Sequence, residues 1–250
     1  MPTIITVANQ KGGVGKTTTA VTLAHAMAVK NRETLLLDLD PQGQCASALG
    51  QVHESGVFNL LAGGQDLADV TRTTGRPHLT LIPGDKRTAT AQVVLNAEGF
   101  ELDVIRTVLK PALRSGLEAV VIDTAPSVGG LQEAALFASD LVIIPTATDY
   151  LSTEGVLRVL DTLKLLSQRG WKGRILGVLP TFHDKVTRES QATLDDLSQT
   201  FGQDLIFEPI HRATILRECA SVGKTVWEIA PRSRAASEYA ALVWQVMDAV

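Results

Sequence analysis

The stretch Asn9-Gln10-Lys11-Gly12-Gly13-Val14-Gly15-Lys16-Thr17-Thr18 decides the fold. The short apolar run Ile4-Ile5-Thr6-Val7-Ala8 precedes it and reads as a strand. Thr19 to Lys30 follows and reads as a helix, with Ala20, Val21, Leu23, Ala24, Met27 and Ala28 spaced to give a broad apolar face. Strand, glycine-rich turn and helix start together make a phosphate cradle. The glycines let backbone N–H groups converge on anionic oxygens, and the helix N-terminus adds its partial positive charge. In such a cradle Lys16 reaches the outer phosphates and the Thr17 hydroxyl ligates Mg²⁺.

The chain outside the cradle bounds the reading. It has 250 residues, 45% of them hydrophobic and only 4% aromatic, enough for a sizeable core built from Leu, Val, Ile and Ala. A net charge of −4 supplies no global basic field, so any attraction to nucleic acid must be local. Cys45 and Cys219 stand far apart, which suggests neither a disulfide framework nor a zinc site. No apolar run approaches the length of a membrane span, and the N-terminus lacks the basic region of a signal peptide. These features lead to the expectation of a cytoplasmic protein.

Further short buried strands follow in order. Leu35 to Leu39 leads into Asp38-Leu39-Asp40-Pro41-Gln42-Gly43, where Asp40 is either a turn initiator before Pro41 or a carboxylate aimed into a ligand crevice. Residues 78–84 read as a short strand and turn. Phe100 to Leu117 reads as a helix that Pro111 must kink or end. Ala119 to Asp123 is another buried strand ending in a carboxylate, and Leu141 to Pro145 is a further one. Thr153 to Gln168 is an amphipathic helix with Val156, Leu157, Leu160, Leu163 and Leu166 on its apolar face. Arg174 to Thr181 and Leu205 to Ile210 complete the set. About seven strands alternating with helices predict a single-domain α/β fold over 1–250, a doubly wound, mostly parallel sheet flanked by helices.

The strict pattern G-x-x-x-x-G-K-[ST] fails at its first glycine, where Gln10 stands. Lys-Gly-Gly-Val-Gly-Lys-Thr instead, with the additional Lys11, resembles the deviant Walker A motif of the ParA/MinD family of dimerising ATPases. Asp-Leu-Asp-Pro-Gln-Gly and the strand ending at Asp123 resemble that family's second signature and its Walker B element. The resemblance covers nearly the whole chain. It implies ATP and Mg²⁺ as ligands, with Lys11, Gly12, Gly13, Val14, Gly15, Lys16, Thr17 and Thr18 around the phosphates. It assigns Thr17, Asp40 and Asp123 to the metal and its waters, with Asp38 nearby in a lesser place. Asp40 positions the attacking water, and Lys11 crosses to the partner's nucleotide in a homodimer. Catalysis then rests on Lys11, Lys16 and Asp40, and hydrolysis is slow until a partner stimulates it. Ser127-Val128-Gly129-Gly130 follows as a γ-phosphate-sensing switch. Thr181, Pro209 and His211, with Asp184, are candidates for contact with the adenine, although ordinary strand-to-helix turns would read the same way.

The C-terminal fifth separates the branches of that family. A membrane-binding member ends in a basic amphipathic helix, whereas residues 235–250 carry Glu238 and Asp248 and no Lys or Arg, which predicts a core-packing helix and no membrane. Residues 210–234 hold Arg212, Arg217, Lys224, Arg232 and Arg234 against Glu218 and Glu228. That local basic surface suits sequence-independent DNA binding, and solvated surface arginines would also account for it. The segment resembles the ParA/Soj pattern but has Ile215 where an arginine often stands. No helix-turn-helix segment precedes Ile4, as in the short ParA form. The resemblance therefore implies DNA segregation with a ParB-type centromere-binding partner and association with the nucleoid. An ATPase that positions a protein cargo remains an alternative. So does a metabolic enzyme of the same fold, although the cluster cysteines, substrate-binding insertions or terminal tyrosine cluster of such relatives are not evident, the tyrosines being Tyr150 and Tyr239 alone.

Overall fold

The computed structural model describes residues 2–112, 116–127, 129–149 and 152–250, apart from the side chains of Glu98 and Ser152. Val128 of the expected switch and Tyr150 lie outside the described residues. The first strand, β1, spans Thr3–Val7, and helix α1 (Lys16–Val29) follows the glycine-rich turn directly. β2 (Thr34–Asp38) leads to the short helices α2 (Gln44–Ala48), α3 (Gly56–Leu61) and α4 (Leu67–Val70). β3 (Arg72–Thr73) and β4 (Leu79–Ile82) precede α5 (Arg87–Glu98) and α6 (Val104–Leu109). Then come β5 (Ala119–Asp123), α7 (Gly130–Ala138), β6 (Leu141–Ala147), α8 (Ser152–Gln168) and β7 (Arg174–Thr181). Helices α9 (Arg188–Phe201), α10 (Thr214–Ser221), α11 (Val226–Ile229) and α12 (Arg234–Asp248) close the chain.

Seven strands pair in the order β3-β4-β2-β5-β1-β6-β7. Every pairing is parallel except that of β3 with β4. Parallel strands buried on both faces read as continuous apolar runs, which is why five-residue stretches such as Ala119–Asp123 were legible. Alternate residues face opposite layers. Ile5, Val7, Leu36, Val121 and Ile143 pack with Leu23 and Met27 of α1 and with Leu242 and Val246 of α12. Ile4, Leu35, Leu37, Val120 and Ile122 pack with Ile105 and Leu109 of α6 and with Ala134 and Ala138 of α7. Val142, Ile144 and Val178 pack with Val156, Val159, Leu163 and Leu166 of α8.

The expected fold stands, with three local corrections. Leu205 to Ile210 is not a strand. Ile206 and His211 form only isolated bridges, to Val178 and His183. The segment runs beside β7 and bonds at Phe207 and Ile210, but Pro209 between them has no N–H to continue a ladder. The seventh strand is instead the two-residue β3 at the opposite edge. Among the described residues of the stretch from Phe100 to Leu117, the α-helix covers Val104–Leu109 and ends before Pro111. On α8, Leu157 is exposed and Val159 takes the buried position. The neighbouring Leu160 is only partly buried.

Helix α1 is covered almost all round rather than on one face. Tyr239 of α12, fully buried, shares a hydrogen bond with the Thr19 hydroxyl at 3.2 Å. Trp227 Nε1 donates to Thr22 O at 2.9 Å. His25 Nδ1 meets Thr225 Oγ1 at 2.7 Å and lies 3.9 Å from Glu228 Oε2. The C-terminal helices thus clasp the helix that begins at the phosphate cradle. Helix α12 buries Ala235, Ala236, Tyr239, Leu242, Val243 and Val246, so it is the core-packing helix expected. Among the described residues no helix is long and apolar enough to cross a membrane.

Burial holds the His25 pKa below its ordinary value of 6.5, with Arg76 adding to the depression and Glu228 opposing it. The unfolded chain therefore takes up this proton at a higher pH than the folded protein does. Stability from this group is complete above pH 6.5 and is lost as pH falls toward the folded pKa. Urea unfolding between pH 7.5 and about 5 is expected to show a falling midpoint, and His25→Gln is expected to flatten that fall.

Candidate functional site

The C-terminal ends of the parallel strands lie along one edge of the sheet, and the loops after β1, β2, β5 and β7 converge there. Gly13 and Gly15 adopt φ of +73° and +86°, a conformation that other residues rarely take. They let the loop curl so that α1 begins at Lys16. Two side chains brace the curl. Thr181 Oγ1 donates to Val14 O at 2.9 Å. Asn9 Oδ1 accepts from Lys11 N at 2.9 Å, while Asn9 Nδ2 donates to Pro145 O at 2.8 Å. Gly155 of α8 makes room for Asn9, because a Cβ there would lie 2.8 Å from Asn9 Oδ1.

The two lysines of the loop have different surroundings. Lys16 is buried, and its Nζ donates to Lys11 O at 3.0 Å. Burial lowers its pKa, while Asp123 and Asp40 pull it back up. Lys11 sits at the rim with its side chain about one-third exposed, and its Nζ pairs with Asp149 Oδ1 at 2.5 Å. Beneath the loop, Thr17 Oγ1 donates to Asp123 Oδ2 at 2.6 Å, tying the first signature to the third. Asp38 and Asp123 face each other in register on β2 and β5, both fully buried. Asp38 accepts from the backbone N–H groups of Asp40 (3.1 Å) and Cys45 (3.0 Å). Asp40 accepts from Gln42 N at 2.9 Å, so it also caps its own turn. Asp40 borders the cleft as well.

Burial pushes the Asp38 carboxyl well above the usual range, and the neighbouring Asp123 adds to it. Burial likewise raises Asp123, to about 6, against the opposing hydrogen bond from Thr17. Asp123 Oδ1 is buried with no hydrogen-bond partner among the described residues. An orphaned carboxylate oxygen beside a threonine hydroxyl, with Asp40 close by, is a hard-oxygen donor set that suits Mg²⁺. Thr17, Asp40 and Asp123 therefore fit the metal expected of them.

A cleft of about 650 Å³ opens over the loop, bordered by Gly12, Gly13, Gly15, Lys16, Thr17 and Thr18, by Asp40, and by Ser127. Its far wall comes from Thr88 and Gln92 of α5, four residues apart on one helical face. The sequence offered no signal for these two, because nothing local marks which side of α5 meets the cleft. A smaller cavity of about 200 Å³ adjoins it and shares Gly15, Thr18 and Phe182 with it. Thr181 and His211 line this cavity; Pro209 does not, and Ile210 takes that place. Asp184 Oδ1 instead accepts from Val186 N at 3.0 Å in the turn. Phe182 went unnoticed in the sequence. It holds φ of +53°, lies between the two cavities, and has the Arg212 guanidinium 5.9 Å from its ring centre. An aromatic residue directly after a parallel strand was the signal available.

Arg212, Arg217, Lys224, Arg232 and Arg234 are all exposed. Arg234 Nη2 donates to Arg212 O at 3.1 Å and its Nε lies 3.3 Å from Glu238 Oε1, so these two arginines share one patch. Arg212 and Arg217 also border the small cavity, which places the basic segment against the cleft.

Comparison with known proteins agrees with this geometry. Residues 2–175 match the family model described as an AAA domain. The chain is similar to the chromosome-partitioning ATPase Soj of Thermus thermophilus, at 38% identity over 97% of this chain and 94% of that one. It is similar to the sporulation initiation inhibitor protein Soj of Bacillus subtilis, at 35% identity over 98% of both. Among solved structures, apo McdA of Cyanothece superposes with a TM-score of 0.90 at 23% identity, covering 98% of this chain and all of that one. Cobyrinic acid a,c-diamide synthase of Mycobacterium smegmatis, with bound ATP analogue and magnesium, superposes at 0.85 with 28% identity, covering 99% of this chain and 94% of that one.

Gly84 passes under the second signature so closely that a Cβ would stand 2.4 Å from Asp38 O and 2.8 Å from Asp40 O. Gly84→Ala is therefore expected to displace the Asp38–Asp40 turn and to cost about 1–3 kcal/mol. Urea unfolding measures the loss, and nucleotide turnover is expected to fall with it.

Proposed function

The chain belongs to the Soj/ParA family of ATPases, and we propose that residues 1–250 work as a single ATPase domain that dimerises on ATP, binds DNA without sequence preference and segregates a DNA cargo. The observation that carries this reading is the different placement of the two loop lysines. Lys16 lies inside the cleft, where it can neutralise the β- and γ-phosphates of a bound nucleotide. Lys11 stands at the rim against Asp149, in a position to serve a nucleotide outside its own cleft. Two subunits facing each other across their nucleotides would each lend Lys11 to the other, as an arginine finger is lent in trans.

In this reading the backbone N–H groups of residues 12–18 hold the phosphates, and the α1 N-terminus adds its dipole. Thr17 and Asp123 would hold Mg²⁺, which when bound neutralises charge on the transferring phosphoryl group. Asp40 orients the attacking water. Thr181, Phe182 and His211 enclose the base, with the expected Pro209 contact passing to Ile210. Arg212, Arg217, Lys224, Arg232 and Arg234 contact phosphates of the duplex. Two such patches on one dimer raise avidity without new contacts. Hydrolysis, slow alone and stimulated by a ParB-type centromere-binding partner, would separate the subunits and release the DNA. Such a protein acts in the cytoplasm on the nucleoid. The synthase superposition keeps one other use of the same cleft in view, and a turnover insensitive to DNA state and partner would favour it.

Lys16→Ala is expected to abolish ATP binding in calorimetric titration. Lys11→Ala is expected to keep that binding and lose ATP-dependent dimers in analytical ultracentrifugation; dimers of normal stability would refute the role in trans.

Binding to a non-specific duplex is expected with ATP and not with ADP, and to weaken steeply with salt. Arg217→Glu or Arg234→Glu should weaken it at least tenfold, and Arg234→Glu, which lies outside the cavity for the base, should leave DNA-free hydrolysis unchanged. Salt-insensitive or nucleotide-independent binding would overturn the DNA reading.

A further inference from the structure

Beneath the phosphate cleft, the nucleotide reading leaves the Cys45 thiol without a part. Asp38, Cys45 and Asp123 are fully buried, and one ligating atom from each lies within 4.8 Å of the other two. The carboxylates come from neighbouring strands in register, and the thiol arrives on the first turn of α2. Backbone hydrogen bonds fix the arrangement, because Cys45 N donates to Asp38 Oδ2 at 3.0 Å. Cys45 Sγ stands 3.5 Å from Asp123 Oδ2. A tetrahedral zinc centre with bonds of about 2.3 Å to sulfur and about 2.1 Å to oxygen has a sulfur-to-oxygen edge of about 3.6 Å. One edge of such a centre is therefore already built.

The carboxylate that this group shares with the Mg²⁺ position is also short of a partner. Asp123 Oδ1 is buried and has no hydrogen-bond partner among the described residues. Leaving a buried polar atom unpaired is costly, and a cation relieves it. Thr17, bonded to Asp123, and Gln44, next to Cys45 in the chain, both border the large cleft and a second cavity of about 340 Å³ between α1, α2 and α10.

We propose that Asp38, Cys45 and Asp123 form a buried site for a thiophilic divalent cation of the Zn²⁺ class. The site is set apart by its sulfur ligand from the hard-oxygen position for Mg²⁺. Binding involves no electron transfer. The Cys45 thiol gives up its proton to solvent as the metal–sulfur bond forms, together with any proton shared by the two carboxyls. Burial, with the Asp38 and Asp123 carboxylates adding to it, pushes the thiol pKa well up, so the charge of the ion is what makes the thiolate stable there. Three protein ligands leave a fourth position for water. Because Asp123 belongs to both sites, a thiophilic ion here takes that carboxylate from Mg²⁺ and antagonises turnover.

The test titrates the purified full chain, without nucleotide, with Co²⁺ as a spectroscopic stand-in for Zn²⁺. A thiolate-to-cobalt charge-transfer band in the near ultraviolet is expected to saturate at one ion per chain and to vanish when Zn²⁺ is added. Cys219→Ala should keep the band, and Cys45→Ala should lose it. Asp38→Asn should weaken Co²⁺ binding at least tenfold while its circular dichroism stays that of the parent. Absence of the band in the parent, its survival in Cys45→Ala, its loss in Cys219→Ala, or undiminished affinity in Asp38→Asn would each overturn the proposal, leaving a thiol hydrogen-bonded to a carboxylate. Should Cys45→Ala fail to fold, Cys45→Ser replaces it and must also lose the band. The site does not depend on the nucleotide reading, and Mg²⁺-ATP binding by the same preparations tests that reading separately.

Discussion

Two carboxylates, Asp38 and Asp123, are buried side by side at the ends of β2 and β5, under a glycine-rich loop. Unpaired charges in that position would be very costly. The surrounding loops are organised to reduce the cost. The turn after β2 folds back so that the N–H groups of Asp40 and Cys45 both point at Asp38. The first turn of α1 presents the Thr17 hydroxyl to Asp123, with the Lys16 ammonium near enough to pull on both Asp123 and Asp40. What remains uncompensated is a single oxygen, Asp123 Oδ1. The site is thus a packed charge cluster with a deliberate deficit of positive partners, which gives it its appetite for a cation.

That arrangement needs close backbone approach. A Cβ on Gly43 would stand 2.4 Å from Gly84 O, and one on Gly84 would stand 2.4 Å from Asp38 O. The loop of residues 83–84 therefore acts as a floor for the second signature. Helix α1 transmits the arrangement outward. It begins at the cradle and is gripped by Tyr239, Trp227 and Thr225 from the last two helical segments. Arg76 extends the grip, donating to Gly223 O at 3.0 Å and to Glu228 Oε2 at 2.8 Å. The phosphate loop and the basic segment are consequently parts of one body, so a change at the nucleotide has a short packed route to the arginines.

The residues that were legible from sequence are those whose task is local. Gly13 and Gly15 are needed for a turn, Lys16 and Thr17 for the first turn of a helix, and Asp123 for the end of a buried strand. Each declares itself within a few positions of chain, and the resemblance in three such places added up. The misread ones depend on distant partners. Leu205 to Ile210 has the composition of a strand, but Pro209 faces β7 just where a ladder would need an N–H. Leu157 and Val159 differ only in which side of α8 meets β6 and β7. Phe182, Thr88 and Gln92 acquire a role only because separate loops close around the same cleft.

By itself the sequence determined the fold class, the phosphate loop, the strands that end in Asp38 and Asp123 and the turn that holds Asp40, because periodicity, glycine conformation and strand-end carboxylates are properties of short segments. Tertiary structure alone decided that Asp38 and Asp123 are neighbours, that Cys45 is driven in beside them, and that Lys11 and Lys16 occupy a rim and an interior. It also decided that the basic segment abuts the cleft. Those facts arise from strand order and helix packing, which bring together residues as far apart as Thr19 and Tyr239, and no local pattern records such a meeting.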